Sequence, residues 1–122
     1  MQVAVRAVRG AIQVRANDRA AILDGTSELV TEVMCRNKLT PDDVISVIFT
    51  ATPDLTAEFP ALAARGLGFQ KVPLLCCTEI DVPAAMPRVV RLLMHVDAEL
   101  TSSAVQHVYL RGAAALRVDI AQ

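Results

Sequence analysis

One arginine stands inside a run that is otherwise apolar, Val89-Val90-Arg91-Leu92-Leu93-Met94. An unpaired charge is costly to bury, so such a segment either turns the arginine to water or gives it something to hold. The pleat of a strand sorts the neighbours. If residues 88–96 are extended, Val89, Arg91, Leu93 and His95 share one face, and Val90, Leu92, Met94 and Val96 share the other. The second set is pure core. The first sets a guanidinium among aliphatic side chains, as in the wall of a pocket. An arginine on a solvated sheet face, its stem lying over Val89 and Leu93, fits the same pattern.

Three other segments repeat the arrangement. Arg9 closes the alternating stretch from Val3 to Gly10, Glu79 follows the apolar run Val72 to Cys77, and Tyr109, the only tyrosine, lies between Val105 and Leu110. Two of these four groups are arginines, whose planar fork holds a carboxylate by two parallel bonds. Together they point to a dry pocket for a small anionic ligand. Singly, each has a plainer explanation. Arg6, facing away from Arg9, shows that arginine is not rare here. Glu79 comes at a strand end, where carboxylates are usually solvated, and a lone tyrosine is often a core residue with its hydroxyl at the edge. Cys76 and Cys77 read as buried small hydrophobes.

The spacing predicts strands over residues 2–9, 44–51, 72–77, 88–96 and 105–110. Asn17-Asp18 can cap a helix over 19–38, which Gly25 weakens in the middle. Thr40 to Asp43 reads as a turn. Pro60 suits the first position of a second helix running to about Leu67, ended by Gly66 and Gly68. Residues 111–122 read as a short turn and a tail. The expected fold is α/β (α+β), a mixed sheet packed with two main helices.

The 122 residues suit one domain, 1–122. A net charge of -1 makes no electrostatic case for nucleic acid or an anionic membrane. Hydrophobic residues make up 53% and aromatics only 3%, so the apolar content is mostly Ala, Val and Leu. A chain this short cannot bury all of it, and the surplus argues for a homo-oligomer. Charges interrupt every apolar stretch before it reaches the length of a membrane span, and the N-terminus lacks a signal-peptide core. Three cysteines, two of them adjacent, are no disulfide framework and fit a reducing cytoplasm. There is no Cys-x-x-Cys and no His-x-x-x-His, so neither metal nor cofactor is expected. Arg65-Gly66-Leu67-Gly68 lacks the lysine and third glycine of a phosphate loop and reads as a helix stop.

Seven short motifs in order carry more than any one of them. They are Val8-Arg9-Gly10-Ala11, Ala51-Thr52-Pro53-Asp54-Leu55, Phe59-Pro60-Ala61, Val72-Pro73-Leu74, Glu79-Ile80-Asp81-Val82, Arg91, and His107-Val108-Tyr109-Leu110, followed by Leu116-Arg117. With them the chain resembles the AroH class of monofunctional chorismate mutases over nearly its whole length. The resemblance implies a homotrimeric pseudo-α/β-barrel with a site in each subunit cleft, and the Claisen rearrangement of chorismate to prephenate. It implies that Arg9 and Tyr109 hold the carboxylate of the enolpyruvyl side chain. Arg91 would reach that carboxylate and the ether oxygen, while Glu79 and the backbone or thiol of Cys76 hold the ring hydroxyl. Phe59 of a neighbouring subunit would pack on the substrate, with Ala61, Leu74, Leu75 and Leu116 also in contact. Arg65 and Arg117 would stand near the mouth. The chain departs from the family pattern at Leu62, where lysine is common, at Leu75, where threonine is common, and at Val118, where proline often follows the arginine.

A pericyclic rearrangement needs no nucleophile, metal or acid–base pair. It needs an extended diacid held in a chair-like conformer, and a fixed positive group where the ether oxygen gains negative charge. Two other readings remain on the residues alone. One is a trimeric imine or enamine deaminase, with an arginine for a substrate carboxylate but no clear group to activate water beyond Glu79. The other is a non-catalytic metabolite-binding trimer.

Overall fold

The structure, a computed structural model, describes residues 3–117. Residues 118–122, including Val118, from the expected turn and tail over 111–122, and Gln2 from the expected first strand lie outside these residues. Five strands, β1 (Ala4–Gln13), β2 (Val44–Ala51), β3 (Leu74–Thr78), β4 (Val89–Ala98) and β5 (Val108–Leu110), form one sheet in the order β3-β2-β4-β1-β5. β4 is central and antiparallel to both β1 and β2, while the outer pairs, β1 with β5 and β2 with β3, are parallel. The sheet is thus mixed, as expected. Helices α1 (Arg19–Arg36) and α2 (Ala61–Arg65) cover one face.

The helical face holds the main core. Ile22, Leu29, Val30 and Val33 of α1 and Ala61 and Ala64 of α2 pack on Val8 and Ile12, Val47 and Phe49, and Val90, Leu92, Met94 and Val96. These strand residues all point to one side, so the opposite parity of β4 falls on the other face. That second face is covered only in part. A 3-10 helix over Arg111–Leu116, through its Ala113, and the buried Tyr109 pack there on Ala11 and Val89. Much of the rest is open, and Val5 and Leu75 on it are more than half exposed.

Asp18 caps α1 as expected, accepting from the Ala21 amide at 2.7 Å. Asn17 does something else. Its side-chain oxygen accepts from the amides of Thr56 and Ala57 and ties the loop after β2 to the helix entrance. The helix stops at Arg36 rather than Lys38: Lys38 takes a left-handed φ of 54°, and Asn37 turns its side chain to the segment before β5. Its Nδ2 donates to Val33 and Gln106 carbonyls, and its Oδ1 accepts from the Gln106 amide. That bond also shortens β5 at its start. Gln106 is held by Asn37 in place of a ladder partner, so the strand begins at Val108, not Val105. β3 likewise starts at Leu74, since Val72 closes a turn on the Phe69 carbonyl and Pro73 has no N–H to give.

Two glycines that look like interruptions in the sequence are contact points. Gly10 lies in the middle of β1, which runs on to Gln13 where residues 2–9 were expected. A Cβ there would meet Leu29 Cδ1 at 3.1 Å and the Val108 carbonyl at 3.3 Å. Gly25 lies in α1, where a Cβ would meet Val14 Cγ1 at 2.5 Å. The two positions let α1 sit close on β1.

Gly25→Ala is therefore expected to destabilise the protein. The intrinsic helix gain of about 1 kcal/mol is outweighed by overpacking against a stiff, fully buried valine, which costs about 1–3 kcal/mol. Urea unfolding checks the sign, and a raised midpoint would contradict the packing argument.

Candidate active site

The open face gathers several of the expected site residues. Arg91 on β4 lies opposite Thr50 on β2 and opposite Ala11 on β1, and Ala11 in turn lies opposite Tyr109 on β5. One row along, Leu93 lies between Ile48 and Arg9. Arg9, Ile48, Thr50, Arg91, Tyr109 and Arg117 line one cavity of about 360 Å³. Four of the expected residues thus meet here, Arg9, Arg91 and Tyr109 from three strands and Arg117 from beyond the last 3-10 helix. The cavity is not the dry pocket that the apolar run suggests: the Arg91 side chain is 40% exposed in the single chain.

Glu79 reaches this row from beyond β3. Its amide donates to the Ala51 carbonyl at 2.9 Å and extends the β2–β3 pairing past Thr78. One carboxylate oxygen, Oε2, accepts from the Thr50 hydroxyl at 2.6 Å and from Arg91 Nε at 3.1 Å. The pair is only partly removed from water, so its worth lies more in geometry than in stability. Because the contact is through Nε, the two terminal nitrogens of Arg91 have no protein acceptor among the described residues. Arg91 also borders a smaller cavity of about 230 Å³, shared with Glu79 and the Ile80–Pro87 loop.

Arg9 is fixed through its backbone. Its amide donates to Nδ1 of His107 at 3.0 Å, a bond in which the ring nitrogen stands where a strand carbonyl would otherwise be. The acceptor must be unprotonated. Burial, and then the charges of Arg9 and Arg117, hold the His107 pKa below its ordinary value.

The other expected residues form a second group. Phe59, Ala61, Leu62, Arg65, Leu74, Leu75 and Cys76 border a different cavity, of about 350 Å³, between α2 and the edge strand β3. Glu58 anchors it, accepting from the Phe59 amide and from Arg19; that amide bond, opposed by slight burial and aided by Arg19, keeps the Glu58 carboxyl below its usual range. The Phe59 ring is 70% exposed. Leu116 packs beside Ala11 and Tyr109, with the first group. Within one chain, then, Cys76 and Phe59 do not share the cavity of Arg9, Arg91 and Tyr109. Nor are the adjacent cysteines both buried: Cys76 is half-buried against the core, and Cys77, across from Thr50, is exposed. Both are free thiols. Among the described residues no group of His, Cys, Asp or Glu is arranged to hold a metal ion.

Sequence reasoning missed Thr50 and His107. Thr50 lies in a β-branched run that reads as uniformly buried strand. Its parity with Ile48 was the available signal, since it puts a hydroxyl on the face of Arg91.

Two arginines and a tyrosine converge on the open sheet face of this α+β fold, with the carboxylate of Glu79 held against Arg91. A family model described as chorismate mutase type I matches residues 5–120. The chain is 43% identical over 117 residues to chorismate mutase AroH of Thermus thermophilus, covering 95% of this chain and 96% of that one. It is 37% identical over 117 residues to chorismate mutase AroH of Bacillus subtilis, covering 95% and 92%. A solved chorismate mutase from Clostridium thermocellum superposes with a TM-score of 0.89 at 43% identity, covering 90% of this chain and 98% of that one. The chain belongs to the type I chorismate mutase family.

His107 gives a pH signature. A histidine whose folded pKa is lowered contributes stability that is full above the unfolded value of 6.5 and is lost as pH falls through the folded value. Unfolding free energy should decline from near pH 6.5 downward, by at most about 1.4 kcal/mol per pH unit for one proton. His107→Gln keeps an acceptor for the Arg9 amide and does not titrate, so it should remove that share of the decline. An identical pH dependence in the variant would refute the assignment.

Proposed function

We propose that the Arg9–Arg91–Tyr109–Glu79 group is the catalytic half-site of a chorismate mutase. The enzyme is an isomerase that converts chorismate to prephenate, a step toward phenylalanine and tyrosine. The observation that carries the reading is the pairing of Arg91 through Nε alone, which leaves its outer N–H groups for a ligand. In the proposed complex Arg9 and Tyr109 grip the enolpyruvyl carboxylate and fold the substrate into its chair. Arg91 donates to the same carboxylate and to the ether oxygen as negative charge builds there. The free oxygen of Glu79 accepts the ring hydroxyl. No proton changes hands and no covalent intermediate forms, so neither metal nor cofactor has a part. The deaminase and non-catalytic readings draw no support from the three relatives described above, each of which is named as a chorismate mutase.

The second half-site belongs, in this proposal, to a neighbouring copy. Phe59, Ala61, Arg65, Leu74, Leu75 and Cys76 of one subunit close the cavity of the next in a homotrimer, with Leu116 and Arg117 at the rim. Two observations support it. Most of the residues the resemblance assigns to one site fall in two separate cavities of one chain, and Glu79 lines a third that Arg91 also borders. Exposed apolar side chains, Val5 and Leu75, also lie on the open face, and Phe59 stands 70% exposed. No helix among the described residues is long and apolar enough to cross a membrane. We place the enzyme in the cytoplasm, where its three thiols stay reduced.

Loss of chorismate ultraviolet absorbance on adding protein tests the activity directly. Arg91→Ala should lower turnover by at least ~10²–10³, the scale of one preorganised donor. Arg91→Lys keeps the charge and loses the fork, so it should recover only part of this. A variant within a few-fold of the parent would remove Arg91 from the mechanism.

Light scattering at micromolar concentration should give a mass of three subunits. Phe59→Ala should raise KM without dispersing the trimer. A fully active monomer would overturn the shared cleft.

A further inference from the structure

We infer that Thr50 is a positioning residue for this reaction, acting through Glu79 to keep the substrate-facing side of Arg91 free. The inference rests on the mutase reading and extends it to a residue whose hydroxyl is spent on Glu79.

The argument starts from what Glu79 and Arg91 would do alone. A carboxylate beside a guanidinium prefers the two-pronged arrangement, in which both oxygens take parallel N–H groups. That pairing would occupy both oxygens of Glu79 and a terminal nitrogen of Arg91, the groups that the substrate hydroxyl and ether oxygen need. The observed pair is one-pronged, Nε to Oε2 at 3.1 Å. Thr50 accounts for it. Its hydroxyl donates to the same Oε2 at 2.6 Å, the shorter of the two bonds. Thr50 is also a rigid anchor, opposite Arg91 on β4 and opposite Cys77 on β3, with a β-branched side chain of few rotamers. The Glu79 backbone is held next door by its amide bond to Ala51. With the backbone and one oxygen both fixed to β2, the carboxylate cannot rotate to present both oxygens to Arg91. Oε1 is left for the ring hydroxyl.

The test is a double-mutant cycle with two readouts, turnover of chorismate and equilibrium binding of prephenate. The second works in a variant too slow to assay. Thr50→Val removes the hydroxyl at nearly constant shape. It should lower kcat/KM about 10-fold or more, the scale of losing one hydrogen bond to a charged group, and weaken prephenate binding in step. Thr50→Ser restores the donor and should stay within a few-fold of the parent. In a Glu79→Ala background, Thr50→Val should change prephenate affinity less than about two-fold, because the group it positions is gone. If Thr50 merely packs, Thr50→Val will cost the same with and without Glu79, and the inference falls. Should Thr50→Val not fold, Thr50→Ala takes its place in the cycle. A parent protein with no action on chorismate would refute the mutase reading itself. An active parent that Thr50→Val leaves unchanged would refute only the role of Thr50.

Discussion

Strand β4 is hydrogen-bonded on both sides, to β1 along its whole length and to β2 over most of it. It cannot slip by one residue without turning Val90, Leu92, Met94 and Val96 out to solvent and bringing Arg91 and His95 under the helices. Losing four fully or nearly fully buried side chains would cost about 1.5–3 kcal/mol each, comparable in sum to the whole stability of a small domain. The register is therefore fixed by the core, and the functional face inherits it. Arg91 points to the open side because its two neighbours must point to the other.

From that strand the site is assembled by pairing. β1 brings Arg9 and Ala11 alongside, β5 adds Tyr109 parallel to β1, and β2 brings Thr50. Ala11, buried between Arg91 and Tyr109, is small enough to keep the row concave. Only Glu79 comes from outside the regular ladder, and it needs two tethers, its amide on Ala51 and its carboxylate on Thr50, where the strand residues need none. Preorganisation here is mostly a property of backbone hydrogen bonds. Side-chain bonds are used where the ladder ends, at Glu79 and at His107.

The faces of β4 were legible because period-two alternation and burial obey the same rule. The apolar stripe of α1 and the Asp18 cap were legible for similar reasons, since each signal is local. The ends of β1, β3 and β5 were not. Gly10 reads as a stop and is a place of close approach; Asn37 and His107 substitute side-chain groups for ladder partners roughly 70 to 100 residues away in the chain. Long-range bonds of that kind leave no trace in a short window of sequence. Arg9, Glu79, Arg91 and Tyr109 were readable as a set from strand patterning, whereas Phe59, Ala61, Arg65, Leu74, Leu75, Leu116 and Arg117 entered the candidate site only through the resemblance. Its division among separate cavities within one chain, and the exposure of Cys77, depended on packing that no spacing could disclose.

Arg9 and Arg91 set two guanidinium groups against the single carboxylate of Glu79, in a chain whose overall charge is -1. The attraction felt by a dianion is thus a near-field effect. From afar the protein is almost neutral and slightly repulsive, and only within about 8–10 Å, the screening length at ordinary ionic strength, does the positive excess dominate. Capture should accordingly respond weakly to added salt at the encounter stage and more strongly at the docking stage. Such an enzyme gains little from long-range steering. It discriminates by shape and donor geometry once a molecule has already arrived at the sheet.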